Sequence, residues 1–124
     1  MARVRIEDNE LVINMQGARK LWTFRSELAI PLENVTGATA DAENWRDLKF
    51  SERLTRVGTD TGSYFAGSFT QDGDRVFFDL KKAEEAVVIM TKDEKFKRII
   101  IGVENPVETV ELIENALNSN LGYQ

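Results

Sequence analysis

Two residue types that often serve in catalysis and metal binding are missing, because the 124 residues include no cysteine and no histidine. Without cysteine there is no disulfide, no thiolate metal site and no thiol nucleophile. Without histidine, the commonest general base and the commonest metal ligand are missing too. The sequence also contains neither a glycine-rich phosphate cradle nor a nucleophile elbow. We therefore expect a non-catalytic protein that holds no metal and no cofactor.

Positive charge is also in short supply, since the net charge is −5 at pH 7. Lys81-Lys82 is followed at once by Glu84-Glu85, and Lys95 and Lys97 follow Asp93-Glu94. Such mixed charges are typical of solvated strand ends and turns. Nucleic acid requires a clustered basic surface, so we expect it not to be a partner.

Long apolar runs are absent as well. The first residues, 1–8, contain no apolar core of a secretion signal, and no later stretch approaches the length of a membrane span. The composition, with 42% hydrophobic and 30% charged residues, is ordinary for a globular domain. We expect one domain over residues 1–124, with no membrane span and a cytoplasmic location.

The strongest local signal lies near the end of the chain. Residues 97–103 contain three consecutive isoleucines, which is typical of a buried strand. Asn105 is a good helix N-cap, Pro106 suits the first helical position, and Glu108 is placed to bond back to the cap. The predicted helix carries an apolar stripe of Val110, Ile113 and Leu117, flanked by Leu112 and Ala116. We expect this stripe to cover the strands, with Ile99, Ile101 and Val103 below it.

Most of the remaining chain predicts strands. Alternating apolar residues on both sides of Asp8-Asn9 favour a hairpin with a two-residue turn. Pro31 is expected at a strand end or sheet edge. In the strand over residues 75–80, we expect Asp79 to face water and the alternating apolar set to face inward: Val76, Phe78 and Leu80. Seven strand candidates joined by short connections predict a mainly β, α+β fold with antiparallel pairing.

One long stretch, Asp41–Gly62, has no regular pattern. Its Trp45, Arg46 and Phe50 are candidate binding residues, because aromatic and arginine side chains dominate binding hot spots. The alternative is that Trp45 and Phe50 pack the loop against the rest of the domain. Trp22 and Phe24 are similarly open to two interpretations, as lining of a ligand cavity or as ordinary packing.

The order of these elements resembles the pleckstrin-homology (PH) superfold. The segment Leu28–Val35, with its Ile-Pro-Leu sequence, resembles a strand entry frequent in bacterial PH-like domains. Residues 62–69 and 77–79 are similar to segments of small stand-alone bacterial proteins of that kind. The resemblance implies seven antiparallel strands, in a barrel or two bent sheets, capped by a C-terminal helix.

The resemblance also makes a negative prediction. PH domains that bind phosphoinositides carry lysines and arginines around the first hairpin loop. Here that loop is Glu7–Glu10, whose negative charge would repel a lipid phosphate. We therefore expect no phosphoinositide binding.

Two functions remain open. The first is a non-catalytic PH-like scaffold for protein–protein recognition or self-association, using strand edges and the 41–62 loop. The second is a carrier of a small apolar ligand, held in a cavity between the sheet and the C-terminal helix. The sequence names neither the partner nor the ligand.

Overall fold

The computed structural model describes residues 2–15, 27–40, 59–60, 65–71, 73–80 and 83–120. Within these residues the chain forms nine strands and one α-helix. The strands are β1 (Ala2–Glu7), β2 (Glu10–Met15), β3 (Glu27–Pro31), β4 (Val35–Thr39), β5 (Thr59–Asp60), β6 (Phe65–Gln71), β7 (Asp74–Leu80), β8 (Ala86–Thr91) and β9 (Arg98–Gly102). The helix is α1 (Pro106–Asn120), and single 3-10 turns cover Leu32–Asn34 and Ala83–Glu85.

The first three strands make a small antiparallel sheet in the order β1-β2-β3. Its hairpin turn is the predicted pair Asp8-Asn9, with φ angles of 52° and 61°. Two positive φ angles in a two-residue turn are those of type I′, whose twist matches the flanking strands. Pro31 ends the edge strand β3, as predicted, because proline cannot donate a hydrogen bond to a further strand.

The other strands form a six-stranded sheet in the order β4-β8-β9-β7-β6-β5. The prediction of purely antiparallel pairing is wrong at one place: β7 and β9 run parallel, with Phe77 opposite Ile99. The cause is that β9 enters between β7 and β8 and pairs antiparallel with β8. β5 also departs from the sequence analysis, because Thr59-Asp60 pairs with β6 where a loop was expected.

A bulge shapes the edge strand β4. Its register with β8 shifts between Val35 and Gly37, which leaves Thr36 as the extra residue. Gly37 follows the bulge directly, and glycine within a strand often marks such a site. A bulge at a sheet edge twists the strand away from further pairing.

The main core lies between the two sheets and beneath α1. Ile113, the predicted centre of the helix stripe, is fully buried, and Val110 and Leu117 pack against the same cluster. Ile99, Ile101 and Val103 lie in that cluster, as predicted. The rest of it is apolar and comes from both sheets: Ala2, Leu11, Ile13, Met15, Leu28, Ile30, Leu32, Val35, Phe77, Val87, Ile89 and Phe96. This interior is filled with side chains.

The opposite face of the six-stranded sheet is buried too. Val76, Phe78 and Leu80 belong to a second apolar cluster with Ala86, Val88 and Ile100. Because both faces of the sheet are covered, alternate side chains of β7 do not divide into a buried set and a solvent-exposed set. The expectation that Asp79 faces water is therefore wrong, since its side chain is fully buried.

The fold is mainly β with one C-terminal helix. The two sheets do not close into a barrel: in the described ranges, no strand of one sheet is hydrogen-bonded to a strand of the other. The expected barrel is therefore not formed, and the described strands make two separate sheets. No helix in the described part of the chain has the length and apolar content that crossing a membrane requires.

Candidate functional site

The predicted contact residues cannot be placed in the fold. Trp45, Arg46 and Phe50 lie outside the described residues, and so do Trp22 and Phe24. Their interpretations as contact, cavity or packing residues stay predictions.

Helix α1 is fixed at its start by a local cap and at its centre by burial. The Glu108 N–H donates to Asn105 Oδ1 at 3.3 Å, and the Thr109 N–H donates to the Asn105 carbonyl at 3.0 Å. The Asn105 cap is thus confirmed. The expected return bond, in which the Asn105 N–H donates to the Glu108 carboxylate, is not formed, and Glu108 is exposed. Since Ile113 is anchored in the core, the orientation of the helix is set from within.

Two large apolar side chains stand on the outer side of this helix. Val107 is 61% exposed and Leu112 is 42% exposed, whereas Ile113 beside Leu112 is fully buried. Their helix has three exposed glutamates and no lysine or arginine. The sequence analysis placed Leu112 beside the buried stripe, and its exposure depends on the helix rotation that Ile113 sets.

A groove of about 490 Å³ runs between α1 and the first hairpin. Its apolar lining comes from Ile6, Leu32, Leu112 and Ala116. Uncharged polar side chains supply the rest: Asn9, Asn115, Ser119 and Asn120. A 3.0 Å hydrogen bond from the Leu32 N–H to the Asn9 carbonyl holds the floor of the groove to the hairpin turn. The groove can accommodate an apolar group, and its polar side chains can form hydrogen bonds with neutral groups such as peptide amides.

Strand β1 brings a free backbone edge to this groove. In a two-residue hairpin the residues flanking the turn, Glu7 and Glu10, exchange hydrogen bonds, and such pairs alternate along the strands. The N–H and C=O groups of Val4 and Ile6 consequently point away from β2. Within the described ranges, no strand pairs with that side of β1. Ile6 therefore offers both an apolar side chain and an unpaired strand edge.

The side-chain charges of β1 lie on the other face of its sheet. Arg5 Nε donates to Glu7 at 2.8 Å, and Arg5 Nη2 lies 3.5 Å from Glu27 on β3. The hydrogen bond with Glu7 is the main reason why the pKa of Arg5 is raised above its ordinary value. All three side chains are about half exposed, so these ion pairs order the sheet surface more than they stabilise it.

A second groove, of about 420 Å³, lies on the other side of α1, against β4. Leu32, Val35 and Leu117 supply apolar lining. Glu33, Lys92 and Glu114 add charges of both signs, and all three side chains are exposed. This is a surface groove between sheet and helix, and it is distinct from the filled interior.

The loop Lys92–Lys97 joins β8 to β9, and several hydrogen bonds hold it in place. The Thr91 hydroxyl donates to the Phe96 carbonyl at 2.5 Å, and the Thr91 N–H donates to the Lys97 carbonyl at 3.1 Å. Asn34 Nδ2 donates to Glu94 Oε2 at 2.6 Å. Phe96 inserts into the core, where its ring centroid lies 5.4 Å from that of Phe77.

Positive charge gathers at this loop. The Arg75 guanidinium carbon lies 5.8 Å and the Lys95 Nζ 5.5 Å from the centroid of the Phe96 ring. The parallel pairing of β7 with β9 places Arg75 there, and the Lys97 N–H donates to the Arg75 carbonyl at 2.8 Å. Arg75, Lys95 and Lys97 are exposed and form no ion pair with any described residue. The position of Arg75 at this loop could not be predicted from the sequence, because it depends on the parallel pairing of β7 with β9.

The buried carboxylate of Asp79 is the described residue that the sequence analysis most clearly misjudged. It lies on β7 between Ala66 of β6 and Ile101 of β9. Across the described ranges, no three acidic side chains are grouped so as to hold a metal ion. Asp79 thus lies between two strands, and the described residues near it do not supply the further carboxylates that a metal site needs.

The described surface offers a helix with exposed apolar side chains, a free strand edge and a basic loop. Exposed strand edges and apolar side chains of this kind are features that contact surfaces of proteins share. No family model, curated protein or solved structure matches this chain.

Proposed function

We propose that this chain is a non-catalytic recognition domain that binds another protein, or a second copy of itself, through the outer side of α1 and the groove between α1 and β1. The observation that carries the proposal is the exposure of Leu112 at the groove, next in sequence to the fully buried Ile113. When a partner covers an apolar side chain of this size, its removal from water lowers the free energy of the complex. The non-catalytic part of the proposal rests on the absence of histidine and cysteine from the sequence.

The lining of the groove suits an extended peptide segment. An apolar side chain of the partner fits against Ile6, Leu32 and Leu112, while Asn9 and Asn115 can bond peptide groups. The free edge of β1 at Ile6 supplies backbone hydrogen bonds for a strand added beside it. In this mode of recognition, backbone bonds give affinity and alternate side chains give specificity.

A second candidate function is the carriage of a small apolar ligand. The groove between β4 and α1 supports it, since its volume of about 420 Å³ lies within the usual range for ligand sites. However, this groove is lined by exposed glutamates and a lysine, which is more typical of a contact surface for proteins than of a site for an apolar ligand. Native mass spectrometry of the purified protein separates the two, because a carrier retains a ligand mass and a recognition domain does not.

The membership of the PH-like superfold is also a proposal. Two sheets and a C-terminal helix support it, whereas nine described strands and the parallel β7–β9 pair differ from the seven antiparallel strands expected. We retain the cytoplasmic location as part of the proposal. Trp45, Arg46 and Phe50 remain proposed contact residues of the 41–62 loop.

The test of the recognition function is site-specific crosslinking in cells. A photo-reactive amino acid at position 112 should capture a partner, and the same group at the exposed Glu84, away from the groove, serves as the matched control. Leu112→Asp should then lower recovery of that partner by at least about tenfold, because it places a charge in an apolar contact. Equal capture from positions 112 and 84 would contradict the proposal.

A further inference from the structure

Two surfaces of opposite charge stand out among the described residues. The acidic helix face consists of Glu104, Glu108, Glu111 and Glu114, all exposed. The basic loop surface consists of Arg75, Lys95 and Lys97, likewise exposed. In the described part of the chain, no member of either set forms an ion pair.

Repulsion between like charges destabilises the acidic helix face. Three of its glutamates, Glu108, Glu111 and Glu114, lie within α1 at spacings of three residues, and like charges at this spacing repel each other along a helix. α1 contains no cation that would offset the repulsion. Val107 and Leu112, both exposed, stand among these glutamates. A cationic surface that covers this face relieves the repulsion and buries apolar area in the same contact.

The basic loop surface carries the complementary charge on a rigid support. Arg75 and Lys95 both lie within 6 Å of the Phe96 ring centroid, so two cations share one aromatic side chain. The Thr91 hydroxyl, the Asn34 amide and the backbone of Arg75 hold the loop. Because the loop is already ordered, little conformational entropy is lost when it meets a partner.

We infer that the partner of the acidic helix face is a second copy of this chain, docked through its basic loop surface. This inference rests on the proposed recognition function and names its partner. Four glutamates on one copy face three cations on the other, and Val107 and Leu112 become buried. Each copy supplies a different surface, so the contact is heterologous and joins copies head to tail in a ring or an open array.

The inference predicts association that depends on salt. Exposed charges are screened over roughly 10 Å at 0.1 M ionic strength, and over roughly 3 Å at 1 M. Sedimentation velocity of the wild-type chain should therefore show oligomers at about 0.05 M salt and monomers at about 0.5 M. Association that does not change over this range, or a wild-type chain that stays monomeric at low salt, would overturn the inference.

Charge reversal of each surface provides the decisive test. The loop variant carries Arg75→Glu, Lys95→Glu and Lys97→Glu, and the helix variant carries Glu108→Lys, Glu111→Lys and Glu114→Lys. Each variant alone should associate at least about tenfold more weakly than the wild type. Mixed together, they should associate again, because the acidic helix of the loop variant can meet the basic loop of the helix variant.

Controls keep the outcome independent of folding and of net charge. Arg3→Glu reverses an exposed cation outside both surfaces and should leave association unchanged. Lys95→Gln with Lys97→Gln neutralises the loop with little disturbance and should weaken association in the same direction, and urea midpoints show which variants are folded. A folded pair of reversal variants that stays monomeric when mixed would refute the inference. In that case, crosslinking of a different protein at position 112 would leave the proposed function standing.

Discussion

Asn105 controls the start of the helix through one side-chain oxygen. The Glu108 N–H has no partner in the preceding turn of the helix, and Asn105 Oδ1 accepts its hydrogen bond at 3.3 Å. Pro106, at the first helical position, has no N–H to satisfy. The local sequence alone accounts for this end of α1, which is why its position could be predicted.

Asn105→Ala removes the cap and should lower the free energy of unfolding by about 1 kcal/mol. Urea unfolding followed by circular dichroism measures the change. Asn115→Ala, at an exposed position within the same helix, is the matched control and should cause no loss, since alanine is the better helix former. Equal stability of the Asn105→Ala variant and the wild type would show that the cap contributes nothing.

Other single residues could not be judged from their neighbours in sequence. Val76, Phe78 and Leu80 alternate with Phe77 and Asp79, a pattern that also fits a sheet with one face in water. The second buried face depends on packing by distant parts of the chain. For this reason the alternation identified β7 correctly and placed Asp79 wrongly.

At the scale of the element, two neighbours on α1 separate the stabilising side of the helix from its contact side. Ile113 lies in the core and Leu112 borders the groove. Ile113→Ala should cost about 2–5 kcal/mol, because it leaves a cavity that its neighbours close only in part. Leu112→Ala should cost distinctly less, because the side chain is already 42% exposed.

Urea midpoints of the two variants, measured in parallel, check this difference. The proposal also expects Leu112→Ala, and not a stability-matched core variant such as Ile99→Val, to reduce partner recovery. If Leu112→Ala destabilises the fold as much as Ile113→Ala does, position 112 is part of the core and the proposed contact surface loses its main support.

Strands and helix were predictable where local patterns act, and their arrangement was not. Residues near Asp8-Asn9, Pro31 and Asn105 determine their own conformations through turn, edge and cap chemistry. The place of β9 between β7 and β8 depends on contacts between segments far apart in sequence. The basic loop surface depends on that same arrangement, so the sequence showed only mixed charges there.

At the scale of the whole molecule, charge limits the partners. The chain has a net charge of −5, and the exposed Glu7 and Asp8 occupy the first hairpin, where lipid-binding PH domains carry cations. Arg5 is already paired with Glu7 and Glu27. An extended anionic surface would meet more carboxylates than cations, since the chain has 21 acidic and 16 basic side chains.

We therefore expect no measurable co-sedimentation with phosphoinositide-containing vesicles at physiological salt. Neutral vesicles of the same size provide the baseline. Specific binding that disappears when Arg3 and Arg5 are changed to glutamate would show that the first hairpin recognises lipid after all. Binding that disappears only with Lys95→Glu and Lys97→Glu would assign lipid to the basic loop surface, which also contradicts the expectation.

The insertion of β9 between β7 and β8 has a consequence for how the chain folds. β7 and β8 are synthesised before β9. Since β9 lies between them and pairs with both, their facing edges stay unpaired until β9 has been made. Until then the six-stranded sheet exists as two separate pieces, β4-β8 and β7-β6-β5, and closure of the parallel pair is expected to be slow. During that interval the open edges of β7 and β8 can accept β9 from another molecule, and exchange of this strand is the misfolding route that the topology favours.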